Sequence, residues 1–392
     1  MLKTLQHLVI TASILGTGTI VSLPAFALTL QNPSVSGTAP YLTYGANAGQ
    51  TFLVSNTQAN LQQALTGNSS NPTGNVELFS NSEQLSNAAF ANYSGVTNLQ
   101  GTLGGKSIVL SSLTFADWNM MVTNTQTLAQ KWFDDLIAAN NLTPLLGANS
   151  PSDLLAAFIA GGGLQKFSDP NISYVNQDPN GTIQIGLAGH FNATPLLQLA
   201  LQPTQTQLQS AFNTAQAALN QMQTALTTLQ QAKGTAQTQL TQLNNQLQVA
   251  PANQKMVIQQ QINGLTIQIA TLNTQITNLN NQIGTTLTQI AGISAKLNPL
   301  TALINNQSLL IQASELVKVS YNGGPAQYLY SFNATHSGLV GDDGFSHNGN
   351  YQVSLAGSLP PKETPEPSAL LGLLAMGGMA AAKRKMTKST LP

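Results

Sequence analysis

Residues 208–250 read LQSAFNTAQAALNQMQTALTTLQQAKGTAQTQLTQLNNQLQVA, and residues 258–297 read IQQQINGLTIQIATLNTQITNLNNQIGTTLTQIAGISAKL. In the first stretch, alternate steps of four and three pass through Leu208, Phe212, Ala215, Leu219, Met222, Leu226, Leu229, Lys233, Ala236, Leu240, Leu243, Leu247 and Ala250, and twelve of these thirteen are apolar. That is a heptad stripe, the pattern of helices that pack along a shared seam. The second stretch has its own stripe through Ile258, Ile262, Leu265, Ile269, Leu272, Ile276, Leu279, Ile283, Thr286, Ile290, Ile293 and Leu297, broken only at Thr286. The two stripes are out of phase. Continuing the first register past Ala250 brings Gln254, Gln261 and Gln268 onto the seam, so one continuous helix would bury glutamines. Pro251 removes a helix donor and disfavours helix at Ala250. A turn is therefore expected at residues 249–254, folding the segment 203–298 into an antiparallel coiled-coil hairpin. Arms of about 45 residues would project roughly 65–70 Å at about 1.5 Å per residue. Lys233-Gly234 interrupts the first seam midway and is its weak point. A disordered or cross-β tract is the alternative for Gln- and Asn-rich composition, but it gives no reason for a sustained stripe.

An antiparallel hairpin begins and ends at one place, so it can sit in a loop of another domain. Residues 28–202 and 299–363 then form one α+β body. Gln50 to Asn56 reads as extended, and Thr97 to Ser111 as a hairpin around Gly104-Gly105. Asn124 to Asn140 reads as a helix with Leu128, Trp132, Leu136 and Ile137 inward, and a second helix starts after Ser150-Pro151-Ser152-Asp153 and ends at Gly161-Gly162-Gly163. Ser173 to Asn176 and Thr182 to Ala188 read as a strand pair, and Glu315 to Tyr321, Gln327 to Ala334 and Asn350 to Ala356 alternate as strands do.

The 392 residues include no cysteine and only 7 % charged side chains, 13 basic and 13 acidic, against the roughly 25 % of an ordinary soluble domain. The polar surface must be built from amides and hydroxyls. Disulfides, thiolate metal sites and cysteine nucleophiles are excluded, and no basic footprint for nucleic acid is visible.

Both ends read as sorting segments. Residues 1–27 combine Lys3, an apolar stretch from Leu8 to Leu23 and the small-residue pattern Ala25-Phe26-Ala27, so a signal peptidase is expected to cut before Leu28. At the other end, residues 364–392 hold Thr364-Pro365-Glu366-Pro367-Ser368, an apolar run over 369–382 and then Lys383-Arg384-Lys385. The run is short of the roughly 20 residues that span a bilayer comfortably, yet tilt limits, thinning and snorkelling accommodate it as a membrane helix. The basic cluster holds that side in the cytoplasm. Without the two ends, residues 28–364 carry a net charge of −4.

This tripartite tail resembles the PEP-CTERM sorting signal of Gram-negative bacteria: a Pro-Glu-Pro motif, a short membrane segment and a basic cluster. The resemblance covers about 25 residues. It implies recognition by an exosortase, a membrane-embedded cysteine transpeptidase, with processing near Pro365, Glu366, Pro367 and Ser368. Such proteins are associated with exopolysaccharide-producing, biofilm-forming cells. The stretches Phe167–Tyr174, Gly186–His190 and Ser346–Tyr351 also resemble a group of cyanobacterial PEP-CTERM proteins of unassigned function, and no catalytic residue is carried over from it.

No chemical constellation stands out. His190, His336 and His347 lack helical metal spacing, though a composite site with Asp342 and Asp343 is conceivable. Gly341-Asp342-Asp343-Gly344 reads as a turn before it reads as a calcium loop. Asp134 and Asp135, as helical neighbours, point apart, and Gly161-Gly162-Gly163 closes a helix where a phosphate cradle would open one. Trp118, Tyr174, Tyr328, Tyr330 and Tyr351 are core or strand residues before they are sugar platforms. The expectation is a non-enzymatic exported envelope or matrix protein without cofactor or metal, whose coil is a spacer or association arm. A glycan-binding module is the alternative and a matrix-polymer hydrolase the next. Possible partners are exopolysaccharide and a second copy of the chain.

Overall fold

Side-chain alternation sets most strands, and two uninterrupted seams set the long helices. The computed structural model describes residues 28–358. In chain order these form β1 (Leu28–Thr29), β2 (Gln31–Gly37), β3 (Tyr41–Asn47), β4 (Gln50–Val54), α1 (Gln58–Ala64), β5 (Gly74–Leu78) and α2 (Asn87–Asn92). There follow β6 (Thr97–Leu103), β7 (Lys106–Ser111), α3 (Phe115–Trp118), α4 (Leu128–Ala139), α5 (Pro151–Ala160), β8 (Asn171–Gln177) and β9 (Thr182–Gly189). The long helices are α6 (Thr194–Val249) and α7 (Ala252–Ile304), and the chain closes with β10 (Val317–Tyr321), β11 (Gln327–Leu329), β12 (Ala334–His336) and β13 (Gly349–Ala356).

The strands make two antiparallel sheets. One has the order β12-β13-β9-β8-β5-β3-β4, with β1 also on β8; the other has the order β11-β10-β7-β6-β2. Their inner faces share one apolar layer. Val76, Leu78, Ile172, Ile185 and Val353 come from the first sheet, and Leu99, Leu110, Val317 and Val319 from the second. Each sheet combines strands from before and after the long helices: β13 pairs with β9, and β10 with β7. The described chain is thus α+β, with two long helices packed on each other between β9 and β10.

The second core lies among the helices. Trp132, Phe133, Leu136 and Ile137 of α4 pack with Phe158 of α5 and Trp118 of α3. Trp132 lies 4.8 Å from Phe167 and 5.7 Å from Phe158 between ring centres. α4 and α5 begin at capping boxes, Thr127 with Gln130 and Ser150 with Asp153, each satisfying two free backbone donors.

The root of the long hairpin is part of this core. Leu197, Ala200 and Leu201 of α6 and Leu300, Leu303 and Ile304 of α7 are buried in it. Here the structure corrects the expected limits of 203 and 298: α6 starts nine residues before Pro203, and α7 runs five residues past Pro299. Burial of these end turns outweighs the hydrogen bond each proline removes. At the second break the Asn149 side chain donates to the Lys296 carbonyl at 2.9 Å. Two glycines let the root seat closely. A Cβ on Gly161 would overlap the carbonyl oxygen of Ala200, and one on Gly147, whose φ is +59°, would overlap the ring of Pro299.

Beyond the root, every residue of both heptad stripes is buried or half-buried, Lys233 and Thr286 included, while nearly all others are exposed. Leu219, Ala236, Ile262, Leu272 and Leu297 are the most enclosed. The turn consists of Ala250 and Pro251. The outer faces are stabilised without charge. Thr hydroxyls, among them Thr214, Thr227, Thr241, Thr271 and Thr277, donate to the carbonyl four residues back at 2.9–3.1 Å. Gln209 and Gln216 donate to Asn213 and Asn220 at the i,i+4 spacing.

Candidate functional site

Of the sorting residues, only Leu28 is among those described. It opens β1, opposite Gln177 of β8. Ala25 and Ala27, the motif Pro365, Glu366, Pro367 and Ser368, the apolar run 369–382 and the basic Lys383, Arg384 and Lys385 lie outside the described residues. Among the described residues no helix is long and apolar enough to cross a membrane.

The structure brings the histidines to one end of the larger sheet but gives each a separate environment. His336 stacks on Phe191 at 3.8 Å between ring centres, and His190 lies 6.0 Å from Phe345. The Nδ1 of His347 is 2.8 Å from the Thr51 hydroxyl, and its ring meets Tyr44 edge-on at 4.8 Å. Burial holds His347 neutral, lowering its pKa to about 4. Asp343 accepts from the backbone N–H groups of Phe345 and Ser346 and from the Ser346 hydroxyl. Burial alone would raise its pKa, but these bonds outweigh it and hold the carboxyl below its usual range. Gly341–Gly344 is therefore a turn closed by its own aspartate. Among the described residues no group of three or more His, Cys, Asp or Glu is arranged to hold a metal ion.

Asp134 and Asp135 diverge as helical neighbours must. Asp134 accepts from Gln126 at 2.7 Å, while Asp135 takes Lys131 at 2.9 Å and the Tyr330 hydroxyl at 2.7 Å. Trp118, Tyr174, Tyr328, Tyr330 and Tyr351 are all buried. Trp118, Tyr328, Tyr330 and Tyr351 belong to the two cores and Tyr174 donates its hydroxyl to Gln352 at 3.0 Å, so none of the five is an exposed sugar platform.

Two features of the larger sheet and its border were not visible in the sequence. The first is a group of acids at the start of β8. Asp169 is buried two residues before Asn171, Glu77 of β5 stands directly across from Asn171, and Glu315 accepts from the Asn171 backbone N–H at 2.9 Å. Burial, and then the charges of Glu83 and Glu77, push the Asp169 pKa well up; burial and Asp169 do the same to Glu315. Glu77 rises to about 7 through burial, against the opposing hydrogen bond from the Tyr44 hydroxyl at 3.1 Å. Residues from three separate chain segments make this group, so no local spacing announces it.

The second feature is a row of neutral polar side chains on the same sheet. Asn75 of β5, Ser173 of β8 and Asn350 of β13 are 1 %, 1 % and 2 % exposed. With Pro72, Ala188, Ser337, Leu339 and His347 they line one narrow cleft that has no room for a water-sized sphere. Both amide atoms of Asn75, the Ser173 hydroxyl and the Asn350 carbonyl oxygen have no hydrogen-bond partner. Ser173 is the extra residue of a β-bulge between Ile172 and Tyr174, the kind of irregularity that re-aims a side chain.

No known family, curated protein or solved structure matches this chain.

Proposed function

We propose that this chain is a non-enzymatic, exported envelope or extracellular-matrix protein. In this reading it is sorted and processed through its PEP-CTERM-like tail by an exosortase, and it carries its hairpin as a coiled-coil spacer or association arm. The observation that carries the reading is the polarity of the body. Both ends of the described chain meet at the far end of β8: Leu28 lies opposite Gln177, and the Gln177 side chain donates to the Ser358 carbonyl at 2.6 Å. The hairpin enters beyond the other end of that strand. There Asn171 lies opposite Ala188 of β9, and the chain passes through Ala193, whose N–H donates to the Ile311 carbonyl at 2.8 Å, into α6. A tail attached to a membrane or surface at one end of the sheet leaves the arm rooted at the opposite end. The 47 residues from Pro203 to Val249 reach about 70 Å.

The sorting part is tested by mass spectrometry of the protein recovered from envelope and medium of its native bacterium. A new C-terminus near Pro365 is expected, and an intact terminus at Pro392 would reduce the tail to a plain anchor. Truncation before Thr364 should change the fractionation in a strain with an active exosortase; unchanged fractionation refutes the sorting claim. The arm is tested by sedimentation of the protein with and without residues 204–295, where association confined to the intact chain assigns self-assembly to the hairpin.

A further inference from the structure

The unpartnered row on the larger sheet needs an explanation. Asn75, Ser173 and Asn350, which line one narrow cleft, carry four polar atoms without a partner. That space leaves no room for a water-sized sphere, so solvent cannot satisfy them while it is closed. Buried donors and acceptors left unmade are costly and rare in native structures. One side of the cleft is formed by the loop between β12 and β13. The segment from Ser337 to Asn348 closes on itself through Ser337 N–H to the Asn348 carbonyl at 3.0 Å and the Ser337 hydroxyl to the His347 carbonyl at 2.6 Å. It meets the sheet edge through Thr51 N–H to the Val340 carbonyl at 2.9 Å, Val340 N–H to the Gly49 carbonyl at 3.0 Å, and Thr51 with His347. Gly338 and Gly344 within it have φ of +73° and +84° and open space around them, and Phe345 is 59 % exposed.

We propose that the segment 337–348 is the lid of a binding site for one uncharged sugar ring, held by Asn75, Ser173 and Asn350 and shown here closed. The lining decides the ligand class. The unpartnered polar atoms are amide and hydroxyl groups with no formal charge, so an anion or cation finds no counter-charge among them. The Asn75 amide offers a donor and an acceptor side by side, which matches vicinal hydroxyls. Pro72, Ala188 and Leu339 supply apolar surface for the C–H face of a ring. Raising the lid supplies the volume. The inference does not depend on how the chain is sorted.

The test is hydrogen exchange on the full chain with D-glucose, D-galactose, D-mannose and N-acetyl-D-glucosamine, and with their methyl glycosides. At least one sugar is expected to slow exchange in 337–348 saturably. Binding of the methyl glycosides as well would identify the end of a glycan as the source, and loss of binding a free monosaccharide. Asn75→Leu, which replaces the unpartnered amide by an apolar group of similar size, should weaken that sugar at least about tenfold and raise the unfolding midpoint of the sugar-free protein. Ser173→Ala repeats the binding arm with a smaller change. If none of these sugars protects the lid, or if protection survives both substitutions undiminished, the proposal is overturned.

Discussion

Three glycines inside the arms offer a clean test of what holds the hairpin. Gly234, Gly264 and Gly284 lie in helix interiors and are exposed, and a Cβ built on each meets nothing within 4 Å. An alanine there adds no clash and removes the backbone freedom a glycine keeps in the unfolded chain. Each substitution should add about 0.8–1.0 kcal/mol to local helix stability. The three share no partner, so the triple variant should gain about 2.5–3 kcal/mol, or roughly a hundredfold in the opening equilibrium. Native-state amide exchange reads this locally. Amides of the arms should slow by about that factor, while those of the sheets near β8 stay unchanged. Equal slowing in arms and sheets would mean that the two open as one unit. No slowing at all, or loss of helix, would refute the reasoning, because it would mean that the arms approach each other or a further helix at these positions.

Three further substitutions probe other parts of the molecule. Lys233→Leu completes the first seam at a half-buried position and should stabilise the arms by about 1–2 kcal/mol, read as slower exchange around residues 226–240. Gly161→Ala pushes a methyl group into the Ala200 carbonyl and should cost about 1–3 kcal/mol, lowering the thermal midpoint and loosening the root of α6. Glu77 binds its proton up to about pH 7 when folded and up to about 4.5 when unfolded, so the native state holds the extra proton in that window. Stability therefore falls as pH rises from 4.5 to 7, by at most about 3 kcal/mol from this group. Glu77→Gln should flatten part of that slope in melts from pH 4 to 8; an unchanged profile would place the titration elsewhere.

The hairpin was legible because its signal is local and repeated. All thirteen positions of the first stripe and all twelve of the second are at least half-buried, and the change of phase at Pro251 located the turn. The inner face of α4 and the Ser150 cap were legible for the same reason: Leu128, Trp132, Leu136 and Ile137 are all buried. The root extends past the expected limits because the burial of Leu197, Leu201, Leu300 and Leu303 is a tertiary gain that no heptad spacing shows. β2 and β3 were missed as strands. QNPSVSG and YLTYGAN lack strict apolar alternation, and it is their neighbours β6, β4 and β5 that hold them. The acids at Asn171 and the neutral row at Ser173 depend on register across β5, β8, β9 and β13, which sequence patterns do not specify.

Body and arm answer to different variables. From Pro203 to Asn298 the only charged residues are Lys233, Lys255 and Lys296, and Lys296 is paired with Asp153 at 3.2 Å at the root. The arms are held by a seam and by hydroxyl and amide bonds within each helix. Salt screens charges and pH titrates them, so neither has much to act on there. The body concentrates its titrating groups where burial has shifted them, at Glu77, Asp169 and Glu315 on one end of the larger sheet. Glu315 lies between the hairpin and β10, and its contact is the backbone of Asn171, where the root side of the sheet begins. Ionisation of these acids therefore strains the junction that carries the arm before it affects the arm itself. Raising the pH should loosen exchange at residues 169–172 and 313–317 first and leave residues 208–297 unchanged. Loosening that begins in the arms would contradict this division of the molecule.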